Sequence, residues 1–158
     1  MALSSLGIVY QIISSIKTYK IDNCGTVNDC KVVINHLIRK FSEPLEKENL
    51  QKKYYSRSLN ENSKVIKEHL LPVNHIMNYL LKDIDININR ERLVEEILSY
   101  LNNALIIVYI TEQEDNELNK AGVQRKMPQE FDDIHSPLYN DIWARYKVSN
   151  IFKNIIIK

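Results

Sequence analysis

The 158-residue sequence predicts a helix-rich α+β fold. Apolar residues recur at helical spacing through most of the chain, whereas the continuous β-rich segment from Ala104 to Ile110 is typical of a short buried strand. Only three glycines and four prolines are present, so disorder is not expected. A chain of this length buries enough surface to fold alone, and we expect a single domain over residues 1–158.

Three helices are predicted in the first 60 residues, which form the N-terminal helical part. The first ends near Lys20, where a run of leucines and isoleucines at helical spacing stops. Asp29 can cap a second helix over residues 30–41. Pro44 suits the first turn of a third helix, which we expect to extend to about Tyr55.

The second half is predicted to mix strands and helices. A strand over residues 65–73 follows a polar break, and helices over 73–81 and 90–102 come next, the latter capped by Asn89. Thr111 and Glu114 form a capping-box pattern that begins a helix over 112–120, directly after the 104–110 strand. A helix over 141–147 and a strand over 151–157 complete the prediction.

Charge and cysteine content restrict the protein class. Lys and Arg total 21 against 20 for Asp and Glu, so global charge demands neither a polyanion nor a membrane surface as partner. No segment has the roughly 18–20 uninterrupted apolar residues of a membrane-spanning helix. The N-terminus lacks the basic start of a signal peptide. We expect a cytoplasmic protein in which Cys24 and Cys30 are reduced thiols, a small disulfide loop being the alternative.

The segment Glu68-His69-Leu70-Leu71-Pro72-Val73 carries the most informative pattern. An acid and a histidine followed by two aliphatics, Pro and another aliphatic resemble the first motif of HNH (ββα-metal) endonucleases. In such a site a carboxylate holds a divalent cation against the scissile phosphate, and the imidazole deprotonates water. The resemblance covers residues 64–120, and residues 121–158 form a C-terminal extension.

The resemblance implies roles for residues of this chain. Glu68 and Asp115 would bind Mg²⁺ or Mn²⁺, His69 would be the general base, and Asn119 would support the site. Three departures are visible: Asp115 replaces the family's final histidine, about thirty residues separate the motifs, and the cysteine pairs of a structural zinc site are missing. Double-stranded DNA rather than RNA is the implied substrate, in a restriction, phage or mobile-element system, and a homodimer would suit double-strand cutting.

Basic and aromatic residues are clustered upstream of this motif, in Lys52-Lys53-Tyr54-Tyr55-Ser56-Arg57. Residues 31–67 hold nine Lys and Arg against four Glu. Such clusters neutralise phosphates and stack on bases. The predicted nucleic-acid contacts are Lys52, Lys53, Tyr54, Arg57, Arg125 and Lys126, with Arg145, Tyr146 and Lys147 as an extension of the same track.

Two other interpretations of the sequence stay open. Glu68 and His69 can be an ordinary surface pair or an inactive relic of a nuclease site, and acidic residues at 112–115 also suit a helix N-terminus without a metal. The alternative function is that of a non-enzymatic phage or mobile-element protein that inhibits a host protein or binds nucleic acid. A binding protein of this kind should present an apolar or tyrosine-rich patch instead of a converging site.

Overall fold

The computed structural model describes residues 4–47 and 50–157, which contain six α-helices and a four-stranded mixed sheet. The helices are α1 (Ser5–Lys20), α2 (Val27–Lys47), α3 (Val73–Lys82), α4 (Arg90–Ala104), α5 (Glu112–Lys120) and α6 (Ala144–Val148). The strands are β1 (Lys53–Ser56), β2 (Val65–His69), β3 (Ile107–Thr111) and β4 (Ile155–Ile156). The predicted helix-rich α+β class is confirmed.

The chain divides into two compact units, the first of which is helical. It comprises the chain up to Gln51 and residues 76–105. Helix α1 packs against α2 and α4. Its buried side chains Ile8, Ile12 and Ile16 lie four residues apart, so they form one stripe along the helix. Burial of this stripe in the helical unit is the main stabilising contribution of α1.

The predicted third helix is wrong, because α2 continues through position 44 and residues 53–56 form a strand. The apolar spacing of α2 explains the continuation. Ile34, Ile38 and Phe41 are fully buried, and Leu45 extends the same stripe beyond the proline. Burial along this stripe outweighs the local preference of proline for a helix start.

The second unit, residues 52–75 and 106–158, contains the sheet. The strand order is β2-β3-β1-β4, with β1 parallel to β3 and the two outer strands antiparallel to their neighbours. A core cluster on one face joins Val108 and Ile110 to Leu118 of α5 and Tyr146 of α6. Helix α5 therefore covers one face of the β2–β3 pair.

Helix α5 begins as predicted. The Thr111 hydroxyl accepts a hydrogen bond from the Glu114 amide at 3.2 Å, and the Glu114 carboxylate accepts one from the Thr111 amide at 2.9 Å. This capping box ends β3 and begins the helix within one residue. Along the chain, α3 and α4 lie between β2 and β3, and α5 follows β3 directly.

Candidate functional site

The sheet face opposite α5 carries a row of cationic and aromatic side chains. In the strand register Lys67 of β2 lies opposite Tyr109 of β3, Tyr109 opposite Tyr55 of β1, and Tyr55 opposite Ile156 of β4. Because side chains alternate along a strand, these four residues share one face. The rings of Tyr55 and Tyr109 are stacked, with centroids 5.0 Å apart and planes 11° from parallel.

A second row on the same face adds positive charge. His69, Ile107 and Lys53 are paired across the three strands in that order. We call the surface formed by Lys53, Tyr55, Lys67, His69 and Tyr109 the lysine–tyrosine face. The four strands place no acidic residue on it, because Glu68, their one acid, points to the opposite face. The charged side chains that the strands themselves contribute to this face are therefore basic.

The lysine–tyrosine face is open around Tyr55 and Lys67, whereas Ile107 in the second row is fully buried. Tyr55 is 48% exposed, Lys67 is exposed, and Tyr109 is half-buried. A shallow pocket of about 450 Å³ lies beside Tyr55 and is lined in part by Lys52, Lys53 and Ile156. A flat aromatic surface flanked by ammonium groups can stack on planar rings and neutralise phosphates.

The predicted contacts around β1 are distributed over both faces. Lys52, Lys53 and Tyr54 all line the pocket beside Tyr55. Tyr54 packs edge-on against Trp143 at a centroid distance of 5.1 Å, beside the buried core. Arg57 is exposed just after β1, and its backbone amide donates to the Asn154 carbonyl. Sequence reasoning missed the Tyr55–Tyr109 pair, because the strand register that joins these two distant segments brings the rings together.

The predicted metal ligands lie on the α5 side of the sheet. Glu68 points there with Ile66, whose side chain packs against the core cluster below α5. Asp115 lies in the first turn of α5 and accepts hydrogen bonds at 3.1 Å on both oxygens from the Gln124 amide. The two carboxylates are close enough for Asp115 to raise the pKa of Glu68. Both predicted metal ligands thus lie on the α5 side of the sheet.

A fully buried arginine neutralises Glu68. The Arg145 guanidinium has no exposed surface and lies 3.2 Å from a Glu68 oxygen. It also donates to the carbonyl oxygens of His69, Leu70, Val123 and Gln124. The sequence analysis expected Arg145 and Tyr146 to extend a surface track for nucleic acid. That expectation is wrong, because both side chains are fully buried.

The electrostatics around Glu68 reflect competing effects. Burial raises the pKa of Glu68, the Arg145 ion pair opposes that rise, and the Asp115 charge adds to it. Burial also raises the pKa of the Tyr146 phenol, with smaller contributions from neighbouring carboxylates. The Tyr146 hydroxyl is buried and has no hydrogen-bond partner among the described residues.

His69 is placed on the other face of the sheet from Glu68 and Asp115. Residues 65–69 of β2 pair with β3 in unbroken register, so Glu68 and His69 alternate to opposite faces. Asn119 is exposed on the outer surface of α5, next to Glu112 and Lys120. Arg125 and Lys126 are exposed in the loop that follows Gln124. The predicted base is therefore separated from the predicted metal ligands.

Glu114 is the centre of a buried polar cluster that the sequence analysis did not predict. Glu114, which is 5% exposed, accepts hydrogen bonds from the Ser56 hydroxyl at 2.7 Å and the Asn154 amide at 2.9 Å. The same carboxylate closes the α5 capping box. It thereby joins β1, the turn before β4 and the start of α5, which is a structural role. The capping-box pattern predicted the local contact of Glu114 with Thr111 but not its contacts with Ser56 and Asn154.

No group of three or more His, Cys, Asp or Glu side chains within residues 4–47 and 50–157 is arranged to hold a metal ion. Glu68 and Asp115 would provide two carboxylates, and Mg²⁺ is commonly bound through one or two carboxylates together with water and substrate phosphate. No helix in these ranges is long and apolar enough to cross a membrane.

Comparison with known proteins gives no match: no family model, no curated protein and no solved structure resembles the chain significantly. The HNH resemblance stays a prediction from the motif.

Proposed function

We propose that this chain is a nucleic-acid-binding protein and that the lysine–tyrosine face binds a single strand. The observation that carries the proposal is the exposed Tyr55–Tyr109 stack in one cross-strand row with Lys67. Such a role belongs in the cytoplasm, in keeping with two cysteines that form no disulfide.

Stacking favours a single strand over a duplex. An exposed ring on a flat sheet can stack on a base only when that base is unpaired and turned outward. Lysines beside the rings supply sequence-independent attraction to the phosphates, which weakens as salt rises. The proposed ligand is therefore single-stranded DNA or RNA, bound with little sequence preference.

The test is fluorescence anisotropy with a labelled single-stranded oligonucleotide and its duplex. Tyr55→Ala should weaken single-strand binding about 5- to 100-fold, the cost of losing one stacked base. Tyr139→Ala is the matched control, because Tyr139 is 45% exposed, against 48% for Tyr55, and lies outside the strands. Lys67→Gln should lower the slope of log Kd against log salt by about 0.7.

Three outcomes would contradict this proposal. Wild-type protein that binds neither strand form at low salt would remove it altogether. Equal losses in the Tyr55 and Tyr139 variants would show that the stack is not the contact. Tighter binding to the duplex than to the single strand would move the interface away from this face. Thermal melting of each variant checks that the fold is kept.

A second candidate function is metal-dependent hydrolysis of DNA on the α5 side. Electrostatic coupling between Glu68 and Asp115 in a strand–strand–helix unit favours it. The carboxylates of these two residues would hold Mg²⁺ or Mn²⁺, and the cation would neutralise the phosphate that is attacked. Against it, Arg145 already neutralises Glu68, and His69 points to the other face.

Plasmid cleavage with Mg²⁺ or Mn²⁺, and with EDTA as control, tests this candidate. Asp115→Asn should abolish cleavage and leave single-strand binding unchanged. Glu112→Gln is the matched variant, because Glu112 lies in the same first turn but is exposed and paired with Lys64. Wild-type protein that does not cut, or cutting that survives Asp115→Asn, would exclude this site as a hydrolase.

A further inference from the structure

The helical unit contains a pocket of about 420 Å³ that is lined by three lysines. Lys20 ends α1, Lys31 lies near the start of α2, and Lys82 ends α3. Two asparagines, Asn23 and Asn78, add amide groups to the same wall. We call this cavity, defined by Lys20, Lys31 and Lys82, the lysine pocket. Its volume is in the range of small-molecule sites.

None of the described residues that line the lysine pocket is acidic, so the lining itself supplies no countercharge. Within the described residues, Lys40, Lys64, Lys120 and Lys147 form ion pairs, and none of these four lines the pocket.

Three acids lie close in sequence to these lysines but do not line the pocket. Asp22 and Asp83 are exposed, and Asp29 accepts hydrogen bonds from the amide and hydroxyl of Thr26. Three like charges around one cavity repel each other unless an anion joins them.

Interactions with helix dipoles explain the positions of two of the three lysines in the lysine pocket. Lys20 and Lys82 lie in the last turns of their helices, where a cation offsets the negative end of the dipole. Lys31 has no such reason, because it lies in the N-terminal part of α2, where a cation gains nothing from the dipole. It is half-buried beside the cavity. An anionic ligand in the pocket would neutralise the Lys31 ammonium group.

We infer that the lysine pocket binds a small phosphorylated organic molecule. A phosphate group carries about two negative charges near pH 7 and accepts several hydrogen bonds, which suits three ammonium groups and two amides. The rest of the lining is apolar: Tyr19, Val27 and Leu81. This wall suits a planar or apolar moiety attached to the phosphate. The proposed site lies in the helical unit and does not depend on the proposed function of the sheet.

The proposal is tested by isothermal titration with three probes: AMP, adenosine and inorganic phosphate. AMP should bind at least about ten-fold more tightly than adenosine, because only AMP engages the lysines. Lys31→Gln and Lys82→Gln should each weaken AMP binding by about ten-fold. Lys17→Gln is the matched control, because Lys17 lies one turn before Lys20 on α1 and does not line the pocket.

Further variants separate this site from the sheet. Tyr55→Ala should leave AMP binding unchanged, whereas loss of AMP binding in that variant alone would place AMP on the lysine–tyrosine face and overturn the inference. Absence of binding by both AMP and phosphate at millimolar concentration would also overturn it, as would equal affinity for AMP and adenosine. Lys82 is exposed, so its variant keeps the test valid if replacement of the half-buried Lys31 disturbs the fold.

Discussion

Replacing Arg145 with methionine should strongly destabilise the unit that contains the sheet. Methionine keeps much of the side-chain volume but has no hydrogen-bond donor. The variant therefore loses the ion pair with Glu68 and the hydrogen bonds to four backbone carbonyl oxygens. Glu68 would then face Asp115 without a countercharge.

The expected loss in the free energy of unfolding is about 4 kcal/mol at pH 7. Removal of one partner from a buried ion pair costs about 3–5 kcal/mol, because the other charge is left uncompensated. Lost hydrogen bonds to carbonyl oxygens add to this, whereas solvent reduces it, since the Glu68 side chain is 20% exposed. The loss should shrink as the pH falls through the raised pKa of Glu68, because a protonated Glu68 no longer needs the guanidinium.

Urea unfolding monitored by the fluorescence of Trp143 measures this loss. Trp143 is the one tryptophan of the chain and belongs to the same unit as Arg145. Lys147→Met is the matched control on the same helix, where a partly exposed ion pair with Asp141 should be worth less than about 1 kcal/mol. Similar losses of under about 1 kcal/mol in both variants would refute the interpretation of Arg145 as a structural centre.

Three further predictions concern the same unit. Glu114→Gln should cost about 2 kcal/mol in urea unfolding, since the charged acceptor holds Ser56 and Asn154, and a loss below about 0.5 kcal/mol would contradict this. Tyr146→Phe should leave stability unchanged or raise it by about 1 kcal/mol, because its buried hydroxyl has no described partner; a clear loss in thermal melting would disprove that. Because the pKa of Glu68 is raised, its contribution to stability is fully present below its ordinary value of 4.5 and is lost as pH rises through the folded-state pKa. Urea unfolding across that interval should therefore show a weaker pH dependence in Glu68→Gln, and parallel curves would argue against the shift.

The elements that the sequence predicted well are those encoded by neighbouring residues. Asn89 accepts a hydrogen bond from the Glu91 amide at 2.8 Å, and α4 begins between them at Arg90. The capping box of Thr111 and Glu114 likewise spans three residues. Such local hydrogen bonds need no tertiary context, so residue type and spacing are sufficient to predict them.

The features that the sequence did not predict depend on distant partners. Strand β1 has four residues and exists through pairing of Lys53–Tyr55 with residues 107–109 of β3. Arg145 lies 77 positions from Glu68, and an arginine on a short helix is typical of a surface residue. The stacked pair Tyr55 and Tyr109 also requires the strand register. Sequence spacing within one element carries no information about these contacts.

Strand geometry gives the sharpest distinction between the two candidate functions. A site that uses Glu68 and His69 on one phosphate needs both side chains to converge, which in a strand requires a bulge or bend. Strand β2 has neither over residues 65–69, because each residue pairs in turn with one of β3. If one site both bound and cut nucleic acid, Tyr55→Ala and Asp115→Asn would each impair both activities. If the two sites lie on opposite faces of the sheet, each variant should impair one activity only. Tyr55→Ala should weaken binding of a single strand, and Asp115→Asn should abolish cleavage.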